Sequence, residues 1–319
     1  MSTKTILIVG QSPDPHIDCI SNLLKENGAS VIFFDIYNPE KCALTLDISD
    51  KPNHYLDSHE MKTALSNIHA IWWRAKPSAF RTNSTGKWAL WAEFAHREWK
   101  SILESLHLFT SHAKWINPRS TDLYMRNKPA QILIAQEIGF NIPPTLISND
   151  PSRIMDFLVI NNEDAVYKVL TYYIEPPNQA IFTSRTSSRQ VQNNIDSIRI
   201  APGIFQKRIE KSFELRITVV GEEIFSVRID SQLHQDTKLD WRRNQADVPY
   251  SKHKLPNRMA QLIKKMNKFL GLVYGAYDFI VTNDNDYYFL EVNPQGQWLW
   301  IENKLNLPIS RSLANHLLM

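Results

Sequence analysis

The chain has 319 residues, a hydrophobic fraction of 43% and a formal net charge of +3, from 36 Lys plus Arg against 33 Asp plus Glu. That length suits two or three packed units, and the near-balance of charge excludes a general nucleic-acid or membrane-surface binder. With 9 glycines and neither a G-x-G-x-x-G nor a G-x-x-x-x-G-K-[ST] pattern, a standard dinucleotide fold and a P-loop are excluded as well.

Residues 5–9 (TILIV) read as a short buried strand rather than a secretory signal, because the preceding segment carries a single lysine. No apolar run approaches the ~18 residues of a membrane span. Cys19 and Cys42 make no metal framework, so a reduced, cytoplasmic chain is expected. A helix ending near Gly28 and a second strand at 30–36 follow, a βαβ opening that predicts a parallel sheet and an α/β class for the N-terminal part. "AIWWRAKP" (70–77) is another strand ending in a loop. Over 87–108, Trp88, Trp91, Ala95, Trp99, Ile102 and Leu106 recur at helical spacing, and this stripe reads as core or interface packing. A boundary falls near 116–130, and Pro129 opens a helix that runs to about Gly139. Residues 165–170 are a strand, 171–180 a loop and "AIFTSRTSS" a returning strand. From 203 onward the order is strand, turn, strand, helix, strand, turn, strand.

The last hairpin carries an acid in each strand. Asn283–Asp286 is the turn, and symmetric closure sets Thr282 against Tyr287 and Asp278 against Glu291. Asn293 shares their face, while Tyr277, Phe279 and Val281 oppose Tyr288, Leu290 and Val292 as core. Facing carboxylates repel and lose hydration when half buried. Either a cation compensates, with all-oxygen ligands favouring Mg²⁺ or Mn²⁺, or the face is solvated with one acid protonated. In the hairpin 212–230, matching apolar faces across Gly221–Glu223 puts Arg216 opposite Arg228. Such a pair either holds an anion or lies on an exposed polar face. Lys168 stands mid-strand, where a triphosphate would partner it, and Lys128 stands at a helix N-terminus, where an anion would offset the dipole. For each, an exposed side chain is the competing reading.

The order Lys128, Lys168, "FQKRIE" (205–210), "ELR" (214–216), Arg228, "YDF" (277–279) and "LEVNP" (290–294) resembles the ATP-grasp carboxylate ligases. "AIWWRAKP", "DWRR" (240–243) and "EVNPQGQWLWIE" (291–302) narrow the resemblance to ATP-grasp peptide maturases of the microviridin and graspetide type, over essentially the whole chain. The resemblance implies an α/β fold with an α+β C-terminal part: a parallel-sheet pre-ATP-grasp domain (1–118), a central subdomain (119–202) and a C-terminal subdomain with a metal site (203–319). It implies Lys128 and Lys168 on ATP phosphates, a hinge from Gln206 to Glu210 receiving adenine with Ile209 supplying backbone contact, and Glu214 on ribose. Asp278, Glu291 and Asn293 match the metal ligands. Arg216 and Arg228 match arginines near the γ-phosphate and acyl phosphate, and Arg242 of "DWRR" meets the substrate carboxylate. The corresponding phosphate-covering loop (171–189) has no glycine, leaving side chains such as Ser184, Arg185 or Thr186 to do this, or a loop that closes only with substrate. The implied activity is ATP-dependent activation of Asp or Glu side chains of a precursor peptide, closing esters with Ser or Thr or amides with Lys. The implied partners are a precursor with a leader segment, met partly by exposed residues of 171–200, and a second copy in a homodimer. Two other functions compete: an ATP-grasp ligase adding a free amino acid to a carboxylate, and a non-catalytic nucleotide-binding protein that recruits a peptide.

Overall fold

A computed structural model describes residues 3–58, 61–75, 91–171, 174–175, 179–180, 182–245 and 247–319. The N-terminal unit comprises β1 (Thr5–Gly10), α1 (Pro15–Glu26), β2 (Ser30–Asp35), β3 (Ala43–Thr45), β4 (Tyr55–Asp57), β5 (Lys62–Ala64), β6 (Ile68–Trp73), α2 (Ala92–Phe109) and β7 (Lys114–Ile116). Helices α3 (Arg119–Tyr124) and α4 (Lys128–Ile138) lead to β8 (Thr145–Ser148), α5 (Pro151–Ile160), β9 (Ala165–Lys168), β10 (Ile174–Glu175), β11 (Gln179–Ala180), β12 (Ser184–Thr186), α6 (Ser188–Asn193), α7 (Ile195–Ile200) and β13 (Gly203–Lys207). The C-terminal part holds β14 (Phe213–Val220), β15 (Glu223–Ile229), β16 (Tyr250–Lys252), α8 (Asn257–Leu270), β17 (Tyr274–Val281), β18 (Tyr287–Asn293), α9 (Leu299–Leu305) and α10 (Ile309–Leu318).

The βαβ opening forms as expected. β1 lies between β2 and β6, both parallel to it, and β7 extends the sheet beyond β6. Alternation along β1 sends Ile6 and Ile8 to one layer with α1 and α10, and Leu7 and Val9 to the other with α2. On α2, Trp99 packs on Phe34 at 5.3 Å and Leu106 is buried, as the stripe implied. Trp91 is 59% exposed and takes no part in that packing. Trp88, Lys76 and Pro77 lie outside the described residues.

β8, β9, β12 and β13 form one antiparallel sheet in the order β12-β9-β13-β8. Tyr167, Phe205 and Leu146 face α5 and α6, while Val166, Lys168, Ile204 and Gln206 share the opposite face. β13 pairs with both β8 and β9, so Gly203–Lys207 belongs to this sheet. Helix α4 packs Ile134, Ala135 and Ile138 against the core side of the C-terminal sheet.

The C-terminal sheet has the order β16-β15-β14-β17-β18, all antiparallel. One face, with Phe213, Leu215, Ile217, Tyr277, Phe279 and Phe289, lies under α4 and α8. The core pairing expected past Asp278 is corrected by a bulge. Phe279 pairs with Phe289 and Val281 with Tyr287, so Tyr287 and Phe289 join the core in place of Tyr288 and Leu290. The turn also shifts, and Thr282 receives a hydrogen bond from Asn285 N–H while its own N–H donates to Asp286 O.

Candidate active site

Ahead of that bulge the register holds: Asp278 faces Glu291, Tyr277 faces Val292 and Ala276 faces Asn293. The acids and Asn293 therefore share one side of the sheet, opposite the α4/α8 core. On the neighbouring strand Arg216 pairs with Asp278, and its Nη1 donates to Asp278 Oδ2 at 3.2 Å. Asp278 is 14% exposed, and its Oδ1, though as near the same nitrogen, accepts no hydrogen bond. Burial pushes the Asp278 carboxyl up to about 7, the Glu291 charge adds to this and Arg216 opposes it. Burial acts on Glu291 in the same sense, but Lys128, Arg242 and Lys168 outweigh it and hold its carboxyl below the usual range. The two facing acids are thus set apart by their surroundings.

Four cations surround this pair. Lys128, the first residue of α4, lies 3.7 Å from Glu291 and donates to Val169 O at 3.0 Å. Asn127 caps that helix, accepting Ala130 N–H. Lys168 donates to Gln206 Oε1 at 2.7 Å, and Gln206 donates to Thr145 Oγ1 at 2.9 Å. Desolvation pushes the Lys168 ammonium down to about 8, with Glu291 opposing and Lys128 and Arg242 assisting. Arg242 comes within 4.0 Å of Glu291. Asp240, 4% exposed, holds that guanidinium through two bonds of 2.8 and 2.7 Å, a partner that sequence reading passed over although "DWRR" contains it.

The remaining expected residues fall elsewhere. Arg228 faces Leu215, not Arg216, because a two-residue turn at Gly221–Glu222 shifts the register by one. It lies on the opposite side of the sheet, over the Phe213 ring at 4.1 Å and paired with Asp230 at 2.7 Å. Glu214 does share the site face, yet its carboxylate is taken by Lys211 at 2.7 Å. Lys207 and Arg208 N–H groups are committed to Pro144 O and Asp164 O, which brings Ile209 and the exposed Glu210 to the link between the two sheets. Of the residues named for phosphate cover, Arg185 pairs with Val166 and so shares the Lys168 face, whereas Ser184 and Thr186 lie on the other. Residues 172–173, 176–178 and 181 of that loop lie outside the described residues.

Among the described residues, no group of three or more His, Cys, Asp and Glu forms a metal cage. The donor set is two carboxylates and an amide, and the buried Asp278 Oδ1, beside Arg216 at 3.2 Å, accepts no hydrogen bond and keeps its lone pairs for a metal ion. That fits Mg²⁺ or Mn²⁺, which keep several ligands for water and substrate phosphate.

A parallel-sheet unit, an antiparallel four-stranded unit and a five-stranded sheet with facing acids and converging cations define an ATP-grasp ligase. No family model matches the chain, and no curated protein matches it. Solved structures do. A Chryseobacterium gregarium RiPP-associated ATP-grasp ligase, in complex with ADP and a leader and core peptide, is 30% identical with a TM-score of 0.87, over 99% of this chain and 97% of that one. The macrocyclase MdnC of Microcystis aeruginosa MRC, bound with precursor peptide MdnA, is 28% identical with a TM-score of 0.87, over 98% and 99%. MdnB, a macrocyclase of the same organism, is 27% identical with a TM-score of 0.82, over 99% of both chains. This chain belongs to the RiPP-associated ATP-grasp ligases.

Proposed function

We propose that this protein activates Asp or Glu side chains of a precursor peptide as acyl phosphates with ATP, and closes macrocycles through Ser or Thr esters or Lys amides. The observation that carries this reading is the Asp278–Glu291 pair with its bare Oδ1, ringed by Lys128, Lys168, Arg216 and Arg242, in a family whose members bind ADP and peptide. Asp278, Glu291 and Asn293 would hold Mg²⁺ or Mn²⁺, which when bound would supply positive charge to offset that of the phosphates. Lys128 and Lys168 neutralise phosphate charge, and the face carrying Val166, Ile204 and Gln206 forms the wall against which adenine lies. Arg216 meets the transferring phosphoryl group. Arg242, oriented by Asp240, meets the substrate carboxylate.

The chemistry needs positioning and charge neutralisation more than an enzyme nucleophile. A carboxylate oxygen of the peptide attacks the γ-phosphorus, the bond to the β-phosphate oxygen breaks, and ADP leaves. A hydroxyl or amine of the same peptide then attacks the acyl carbon, loses its proton and expels phosphate. Each linkage removes one water from the peptide.

Family resemblance supports a microviridin-like product, a leader-bearing precursor and a homodimer. No described helix is long and apolar enough to cross a membrane, in keeping with cytoplasmic work. Incubation with ATP, Mg²⁺ and a candidate precursor tests the reading. The expected result is loss of one water per linkage with one ADP formed for each. A gain of an amino-acid residue mass would favour the free-amino-acid ligase, and no ADP with any peptide would favour a recruiting protein.

A further inference from the structure

The segment that carries Glu291 and Asn293 runs along the outer edge of the five-stranded sheet, where a strand has main-chain groups without a ladder partner. Three buried side chains from other elements supply partners to four of the five residues 292–296. Gln131 of α4, 4% exposed, accepts Val292 N–H on Oε1 at 2.9 Å and donates from Nε2 to Val292 O at 2.8 Å. Its amide thus stands in for the peptide group of a missing neighbouring strand. Asn117, just past β7 and 3% exposed, donates to Pro294 O at 3.1 Å and to Tyr274 O at 2.8 Å. It also accepts Val273 and Tyr274 N–H, tying the start of β17 to the same clamp.

Arg74, just past β6 and 1% exposed, donates Nη1 to Gln295 O at 2.7 Å and Gly296 O at 3.1 Å. Asp14 holds Arg74 Nε at 3.0 Å. Burial works against the Asp14 charge, but hydrogen bonds from His16 and the Arg74 guanidinium prevail and keep its carboxyl well below the usual range. His16 donates Nδ1–H to Asp14 Oδ1 at 2.8 Å and accepts Trp298 N–H on Nε2 at 3.2 Å, so the latch continues to the end of the loop. Within the loop, Gln295 N–H donates to Asn293 Oδ1 at 2.8 Å, which fixes how that amide points.

We propose that Gln131, Asn117 and Arg74 are positioning residues for the divalent cation, holding the 292–296 main chain so that Glu291 and Asn293 present their oxygens at a fixed separation. None of the three touches the ligand. Val292 lies between the two ligand residues in sequence, so an outward shift of its peptide displaces both. Groups that orient metal ligands from behind commonly change metal affinity by about 10- to 100-fold when removed.

This inference rests on the metal role of Asp278 and Glu291, and its test separates the two. ADP affinity is measured by calorimetry with and without Mg²⁺ for the wild-type protein, Gln131→Met and Arg74→Lys, with circular dichroism to confirm folding. Methionine keeps the size and helix preference of Gln131 but neither hydrogen bond. Lysine keeps the charge beside Asp14 but not the planar group that holds Asp14 through Nε while Nη1 reaches both carbonyls. The expected result is metal-free ADP affinity within about twofold of wild type, with the Mg²⁺ enhancement reduced about tenfold or more in each variant. Should Gln131→Met not fold, Arg74→Lys decides alone. Wild-type enhancement in the folded variants would overturn the clamp. No enhancement in the wild-type protein itself would overturn the metal reading beneath it.

Discussion

Lys168 offers the sharpest electrostatic prediction. Desolvation lowers its ammonium from the usual 10.5 to about 8, with Glu291 too weak a counterweight. In the proposed role, ADP would bring negative phosphates to this group and favour its charged form, so binding would draw a proton onto Lys168 wherever the free protein has lost it. With a free-state pKa of about 8, the charged fraction falls from ~0.9 at about pH 7 to ~0.03 at about pH 9.5, a loss of about 30-fold in affinity or ~2 kcal/mol. Folding has the opposite sign. A depressed lysine penalises the folded chain below pH 8, and the penalty fades as pH rises toward 10.5, so Lys168 adds stability over the range in which it loses ADP. The assay is calorimetric titration of metal-free ADP at half-unit steps of pH, repeated with Lys168→Met. The variant should show a flat profile near the wild-type affinity at high pH. A flat wild-type profile, or a variant that keeps the slope, would refute the assignment of Lys168 to phosphate.

Three further outcomes are expected. Glu291→Gln should reduce ADP formation to below ~1% of wild type by removing a charged metal ligand, with little change in melting temperature; unchanged turnover would take Glu291 out of the mechanism. Arg228→Ala should leave turnover within about twofold and lower stability by about 1 kcal/mol, since it removes a ring contact and a half-exposed ion pair on the far side of the sheet. A large loss of turnover in a melt-stable variant would contradict that placement. Gly296→Ala should displace the loop after Asn293, because its Cβ would come within 2.3 Å of Ala276 Cβ, an atom fixed to the main chain. A crystal structure of this variant with the loop unmoved would show the contact to be harmless.

Much of this was legible in the chain. The Asp278–Glu291 register followed from symmetric closure of two strands across a polar turn, and it holds because the bulge beside Asp278 cancels the one-residue shift at the turn. The bulge itself has no signal of composition: Leu290 fits either face, and only packing of Phe289 under α4 and α8 decides it. The Arg216–Arg228 pairing was unreadable for a stronger reason. β14 is buried at every position, and β15 carries Val227 and Ile229 into the layer behind the site while Arg228 lies over Phe213 on the other. With both faces covered, alternation no longer says which side is the core. Lys128 and Lys168 were found because a cation in a helix start or an apolar strand is a local anomaly. Gln131 and Asn117 were not, because a side chain that bonds distant main chain leaves no periodic trace. Arg74 stood in view within "AIWWRAKP", but its targets at Gln295 and Gly296 are brought to it only by the fold.

In the proposed site the facing carboxylates of Asp278 and Glu291, with Asn293 beside them, would hold the divalent cation that accompanies the nucleotide. Crystals soaked with ADP and Mn²⁺, measured for anomalous scattering, test it most directly. A single strong peak within bonding distance of both carboxylates and of the ADP phosphates is the predicted result. ADP bound in the cleft with no peak between Asp278 and Glu291 would contradict the account.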